Sequence, residues 1–220
     1  MTASLPFDGR LRLGVLPSIG PYLLPQVMRE LHRTLPALRV IVREENTLSL
    51  DEGLRNGRFD AILSTPEDHP NTWQRPLFVE RLWVAVATDH PLRQREVVEA
   101  ADLSTLRLLT LDTGHRLSRI VYALAGEAGA IVSTDYEGTS LDSILLMAAT
   151  GAGVAVIPDL FARRQAVHRE EVVLRPLRMP DAHRTIALLF PGSEQSTASF
   201  DLLTQTLRLA ARTLGLEGVE

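Results

Sequence analysis

The chain has 220 residues, 45% of them hydrophobic and 23% charged, with a formal net charge of −4. That length suits one large domain or two small lobes, each with its own core, and no apolar run approaches the ~18–20 residues of a membrane span. All 23 basic residues are arginine and cysteine is absent, which excludes Schiff-base chemistry, a Walker A lysine, disulfides, thiolate metal sites and cysteine nucleophiles within this chain.

The stretch from Met1 to Asp8 has neither a basic start nor an apolar run, so no secretory signal is expected and a cytoplasmic location follows. Nucleic-acid binding by this chain would need a basic stripe. Its arginines are scattered instead, as Arg10, Arg29, Arg43, Arg75, Arg107 and Arg175 illustrate. Direct DNA contact is not expected.

In chain order, Arg10 to Leu16 alternates as a strand does, and Ser18-Ile-Gly-Pro21 opens a helix. That helix carries Leu23, Leu24, Val27, Met28, Leu31 and Leu35 on one face, with Pro21 at its start and Pro36 after its end. Arg39 to Glu44 reads as a second strand, Leu48 to Asn56 as a short helix and Phe59 to Leu63 as a third strand. A second block begins with a strand at Leu82–Ala87, followed by a strand at Leu108–Leu111, a helix at Leu117–Ala128 and a strand at Ile131–Tyr136. Thr139-Ser-Leu-Asp142 has the capping-box pattern ahead of Ile144, Leu145, Met147 and Ala148. Short strands are expected at Val154–Ile157 and Val172–Leu174, a strand at Arg184–Phe190 and a terminal amphipathic helix at Ser199–Leu214.

Strands alternating with helices predict an α/β fold with mainly parallel sheets. Pro76 to Arg81 and His183 to Ile186 are the expected crossing points, giving two Rossmann-like lobes joined by two crossovers, with a cleft between them. The expected limits are 9–80 plus 187–220 for lobe I and 81–186 for lobe II, after a disordered or appended start at 1–8.

Motifs for catalysis are weak. Ser18 sits at a strand-to-helix turn, but Leu16-Pro-Ser-Ile-Gly20 lacks the first glycine of a nucleophile elbow. It reads either as a polar helix start or as a ligand contact beside helix amides. Gly151-Ala-Gly153 follows a helix and precedes a strand, the reverse of the dinucleotide-binding order, and reads as a helix stop. No two of the six histidines have metal-ligand spacing. His115 stands out because it follows Asp112-Thr-Gly114 just beyond a strand end, where ligands sit in parallel sheets. Thr47, Ser64 and Thr65 also stand at predicted strand ends, offering neutral donors and acceptors without an acid/base pair. The adjacent acids Glu44-Glu45 and Glu170-Glu171 read as solvated. An enzyme is not expected.

The segment Gly9-Arg-Leu-Arg-Leu-Gly-Val-Leu-Pro-Ser-Ile-Gly-Pro-Tyr-Leu-Leu-Pro25 resembles the start of the effector-binding domain of LysR-type transcriptional regulators. Asp60-Ala-Ile-Leu63, Asp89-His-Pro-Leu92 and Ala149-Thr-Gly-Ala-Gly-Val-Ala-Val-Ile-Pro158 resemble its other recurrent stretches. Gly20-Pro-Tyr-Leu-Leu-Pro25, Leu111-Asp-Thr-Gly-His115, Gly126-Glu-Ala-Gly-Ala130, Thr139-Ser-Leu141 and Arg184-Thr-Ile186 are similar to the OxyR-type branch of peroxide-sensing regulators.

The resemblance implies a fold like the type II periplasmic binding proteins and a homodimer through this domain, with a higher oligomer in the whole protein. It implies DNA contact only through an N-terminal winged helix-turn-helix outside this chain, RNA polymerase as a partner, and neither cofactor, metal nor membrane. It also implies that Ser18, Thr47 and His115 match the residues that hold a peroxide or water, with Ser18 in place of the branch's usual threonine. Ser64, Thr65, Thr139 and Arg184 are further candidates for the cleft. The family's sensing cysteine matches Arg116 and its second cysteine matches Ala125, so a disulfide switch cannot operate here. Two readings stand: a peroxide sensor whose cysteine has been lost or replaced, Ala125 being the suspected position, or a cysteine-free domain that binds a small organic or anionic effector near Arg116. A solute-binding protein is a third, but would be expected to carry an export signal.

Overall fold

We describe residues 6–135, 138, 140–192 and 197–219 of a computed structural model of the protein. In chain order the elements are β1 (Arg10–Val15), α1 (Gly20–Thr34), β2 (Arg39–Glu44), α2 (Thr47–Arg55), β3 (Ala61–Ser64), β4 (Trp73–Ala87), β5 (Val98–Glu99), α3 (Ala100–Leu103) and β6 (Arg107–Leu109). They continue with α4 (Arg116–Ala128), β7 (Ile131–Val132), α5 (Leu141–Ala149), β8 (Val154–Pro158), α6 (Asp159–Arg164), β9 (Val172–Arg178), β10 (His183–Phe190), α7 (Thr197–Thr213) and β11 (Glu217–Gly218). The chain divides into two compact units, after Val79 and again after Arg184.

In the first unit the strand order is β2-β1-β3-β10-β4. β1 runs parallel to β2, from Arg10 beside Arg39 to Val15 beside Glu44, and parallel to β3, Leu13 beside Ala61. β10 runs antiparallel to β3, Leu188 beside Leu63. Alternation along β1 turns Leu11, Leu13 and Val15 inward and leaves Arg10 exposed. The predicted apolar face of α1 is buried at Leu23, Leu24, Val27 and Leu31, each such side chain contributing about 1.5–3 kcal/mol.

In the second unit β4 pairs antiparallel with β8 and with β9, while β6 lies parallel to both β7 and β8. The sheets are therefore mixed rather than mainly parallel, because the strands that carry the chain between units run against their neighbours. β4 begins at Trp73, not Leu82. Charges and Pro76 mask the strand pattern in its first half, which nonetheless completes the first unit's sheet. β7 ends at Val132, and β9 continues through Pro176 to Arg178.

The Thr150-Gly-Ala-Gly turn stops a helix, as its sequence suggests. Thr150 caps α5 and Gly151 takes a left-handed φ of 80°. A Cβ on Gly153 would lie 2.7 Å from the Arg107 carbonyl oxygen, so only glycine lets β8 start that close to β6. α5 is capped by Ser140, whose side chain accepts the Ser143 N–H, and Thr139 lies outside the described residues.

Candidate functional site

The carboxyl ends of β1, β2 and β3 share one edge of the first unit because the three strands run parallel. Their ladder extends past the strands: the Leu16 N–H donates to the Leu63 carbonyl at 3.2 Å and the Glu45 N–H to the Val15 carbonyl at 3.1 Å. Ser18 follows β1 in a half-exposed turn, and Thr47 is the buried first residue of α2, which Asn46 caps through Ser49. Ser64 and Thr65 follow at the end of β3, both fully buried. These four predicted residues thus come to one sheet edge. A Cβ on Gly20 would come 2.7 Å from Glu44 Oε1, so the glycine admits this carboxylate to the first turn of α1. Glu45 pairs with Arg58 at 2.5 Å, whereas Glu170 and Glu171 are exposed.

The hydroxyls of Ser64 and Thr65 are engaged inside the chain. Ser64 Oγ lies 2.9 Å from His69 Nε2, and His69 Nδ1 lies 3.0 Å from Asp51 Oδ1 on α2. Because a carboxylate only accepts, His69 Nδ1 carries a proton toward Asp51. The connectivity is that of a serine–histidine–aspartate triad. Ser64 and the His69 side chain are nevertheless 0% exposed, so the array locks the loop after β3 onto α2. Thr65 Oγ1 donates to Asp68 Oδ2. The sequence gives no mark of His69, since its partners lie 5 and 18 residues away with no periodic signal.

His115, Arg116, Ala125 and Arg184 belong to the second unit. After β6 the chain turns at Asp112, whose Oδ1 accepts the Gly114 N–H at 2.8 Å, and His115 occupies the N-cap position of α4. Its ring is 11% exposed, with Asp112 Oδ2 3.9 Å from Nε2. Burial holds the imidazole below its usual range, Asp112 pulls it up and Arg184 pushes it down further. The ring is therefore neutral at pH 7 and can accept as well as donate.

Arg184 is itself anchored. Its Nε donates to Glu80 Oε2 at 2.8 Å, and Glu80 Oε1 accepts the Leu160 N–H at 2.9 Å. Glu80 is completely buried. Burial pushes its carboxyl up, against the opposing pull of Arg184 and the Leu160 amide. The sequence points to Arg184 but not to Glu80, whose partner lies 104 residues away.

Arg116 is the first residue of α4, and Ala125 lies buried toward its end, where the Ala130 N–H donates to the Ala125 carbonyl at 2.9 Å. A rise of ~1.5 Å per residue puts about 14 Å of helix between the two positions, beyond the ~7 Å Cα separation a disulfide tolerates. Among the described residues no three metal-type side chains cluster, and no helix is long and apolar enough to cross a membrane.

The family model described as "LysR substrate binding domain" matches residues 6–212. A hydrogen peroxide-inducible genes activator of Pectobacterium carotovorum subsp. carotovorum is 35% identical, over 91% of this chain and 67% of that protein. The DNA-binding transcriptional dual regulator OxyR of Escherichia coli K12 is 34% identical, over 91% of this chain and 66% of that protein. The chain thus spans about two thirds of the length of these relatives. The crystal structure of the oxidised form of OxyR superposes with a TM-score of 0.82 at 31% identity, covering 95% of this chain and 98% of that one.

Proposed function

This chain belongs to the LysR substrate-binding domain family, and from that premise we propose that it is the signal-receiving domain of an OxyR-type transcription regulator whose thiol switch is missing. One observation carries the reading: the chain has no cysteine, and the resemblance assigns the family's two cysteine positions to Arg116 and Ala125, while Ser18 follows β1, Thr47 opens α2 and His115 caps α4. Ser18 and Thr47 in the first unit, and separately His115 in the second, are the groups proposed to recognise a small polar effector. Output is a change in the balance between two arrangements of a homodimer, relayed to DNA and RNA polymerase by parts of the whole protein outside this chain.

Restoring sulfur tests this. A cysteine at position 116 would sit at the first turn of α4 beside His115, where the helix N-terminus favours thiolate. Arg116→Cys treated with stoichiometric hydrogen peroxide and followed by intact mass is expected to form a sulfenic acid much faster than a free model thiol. The buried Ala125→Cys is expected to react more slowly. Oxidation of Arg116→Cys at the model-thiol rate sinks the peroxide-site reading.

A second reading rests on Arg116 itself. Its guanidinium stands at the same first turn, where amide N–H groups favour anions. Under this reading the effector is a small anion bound without chemistry, and the Arg116→Gln variant loses its response.

A further inference from the structure

At the opposite, amino-terminal ends of β1 and β3 the first unit holds a cavity of about 350 Å³. That volume lies at the lower end of the ~300–1,000 Å³ typical of small-molecule sites. Three phenylalanine rings line it, Phe59 and Phe200 buried and Phe7 half-buried. Phe200 is held by stacking on Phe190 at 3.8 Å, and Phe7 meets it edge-on at 5.1 Å. A left-handed turn with φ of 54° at Phe7, 49° at Asp8 and 80° at Gly9 folds the Phe7 ring back over the cavity.

Arg10 and Arg12 also line the cavity, two positions apart and so on the same face of β1. Arg12 gives Nε and Nη2 to Asp60 and Nη1 to the Gly57 carbonyl, which neutralises Asp60 and leaves two of the five guanidinium N–H groups uncommitted. Among the described residues no carboxylate pairs with Arg10.

We propose that this cavity binds a small aromatic carboxylate, its ring against Phe7, Phe59 and Phe200 and its carboxylate on Arg10 and the spare N–H groups of Arg12. A neutral aromatic would leave Arg10 without a counter-ion, and a short aliphatic acid would leave the rings wet. Asp8 also lines the cavity, and its exposed carboxylate opposes an anion there. The site lies at the other end of the strands from Ser18 and Thr47, so it is independent of the effector reading above.

The test titrates benzoate into the isotope-labelled domain by NMR, with benzamide and acetate as controls. Saturable benzoate binding is expected with a Kd of about 1 mM or tighter, both controls weaker by about tenfold or more. Arg10→Gln and Phe7→Ala should each weaken it by about tenfold, and Asp8→Asn should tighten it. Absence of saturation by about 10 mM overturns the proposal, as does acetate binding equal to benzoate. Loss of benzoate binding in Thr47→Val, with Arg10→Gln unaffected, would move the ligand to the strand carboxyl ends and also overturn it.

Discussion

At the scale of single residues, chemistry here is decided by what surrounds a side chain. His115 is held neutral chiefly by burial, so the folded protein resists the proton that the unfolded chain accepts near pH 6.5. Below that pH the unfolded state binds more protons at this site, and stability falls as pH drops toward the lowered folded-state value. The unfolding free energy measured from pH 7.5 down to 5 should decline less in His115→Gln than in the parent. Parallel curves would remove His115 from the account. The Glu80–Arg184 pair behaves differently because both groups are buried and each satisfies the other. Glu80→Gln or Arg184→Met should each cost about 3–5 kcal/mol by denaturant unfolding, since each strands a buried partner. The joint Glu80→Leu, Arg184→Met variant should recover much of that loss; if its cost equals the sum of the singles, the pairing argument fails.

At the scale of elements, most helices and strands were legible because burial imposes a period on the sequence. The 3.6-residue repeat of α1 and the alternation of β1 are direct records of one buried face. β4 was half legible: its Leu82–Ala87 part reads as apolar, whereas Trp73–Arg81 mixes charges and a proline along a strand whose partners lie far off in sequence. Glycines divide in the same way. Gly126 is inside α4, and a Cβ added there would meet nothing within 4 Å, so Gly126→Ala should stabilise by about 0.5–1 kcal/mol. Gly153 meets a backbone carbonyl that cannot step aside, so Gly153→Ala should cost about 1–3 kcal/mol. Thermal unfolding of the two variants checks both signs, and equal shifts would refute the distinction.

At the scale of the whole molecule, two tryptophans serve as built-in reporters, Trp73 in the first unit and Trp83 in the second, both on β4. A strand that belongs to both units ties their folding together, so Trp73→Phe and Trp83→Phe should show one common denaturation midpoint by fluorescence. Two separated midpoints would mean that the units unfold independently. The sequence alone determined the alternation of strands and helices, the absence of thiol chemistry, and a resemblance specific enough to name the family. Each of these is a property of residue identity or local period. Tertiary structure alone decided that Ser64 and Thr65 turn their hydroxyls inward, that His69 joins Asp51 to Ser64, and that Glu80 holds Arg184. Such pairs are set by where distant segments meet, and a hydrogen bond between residues 104 apart leaves no spacing in the chain from which to read it.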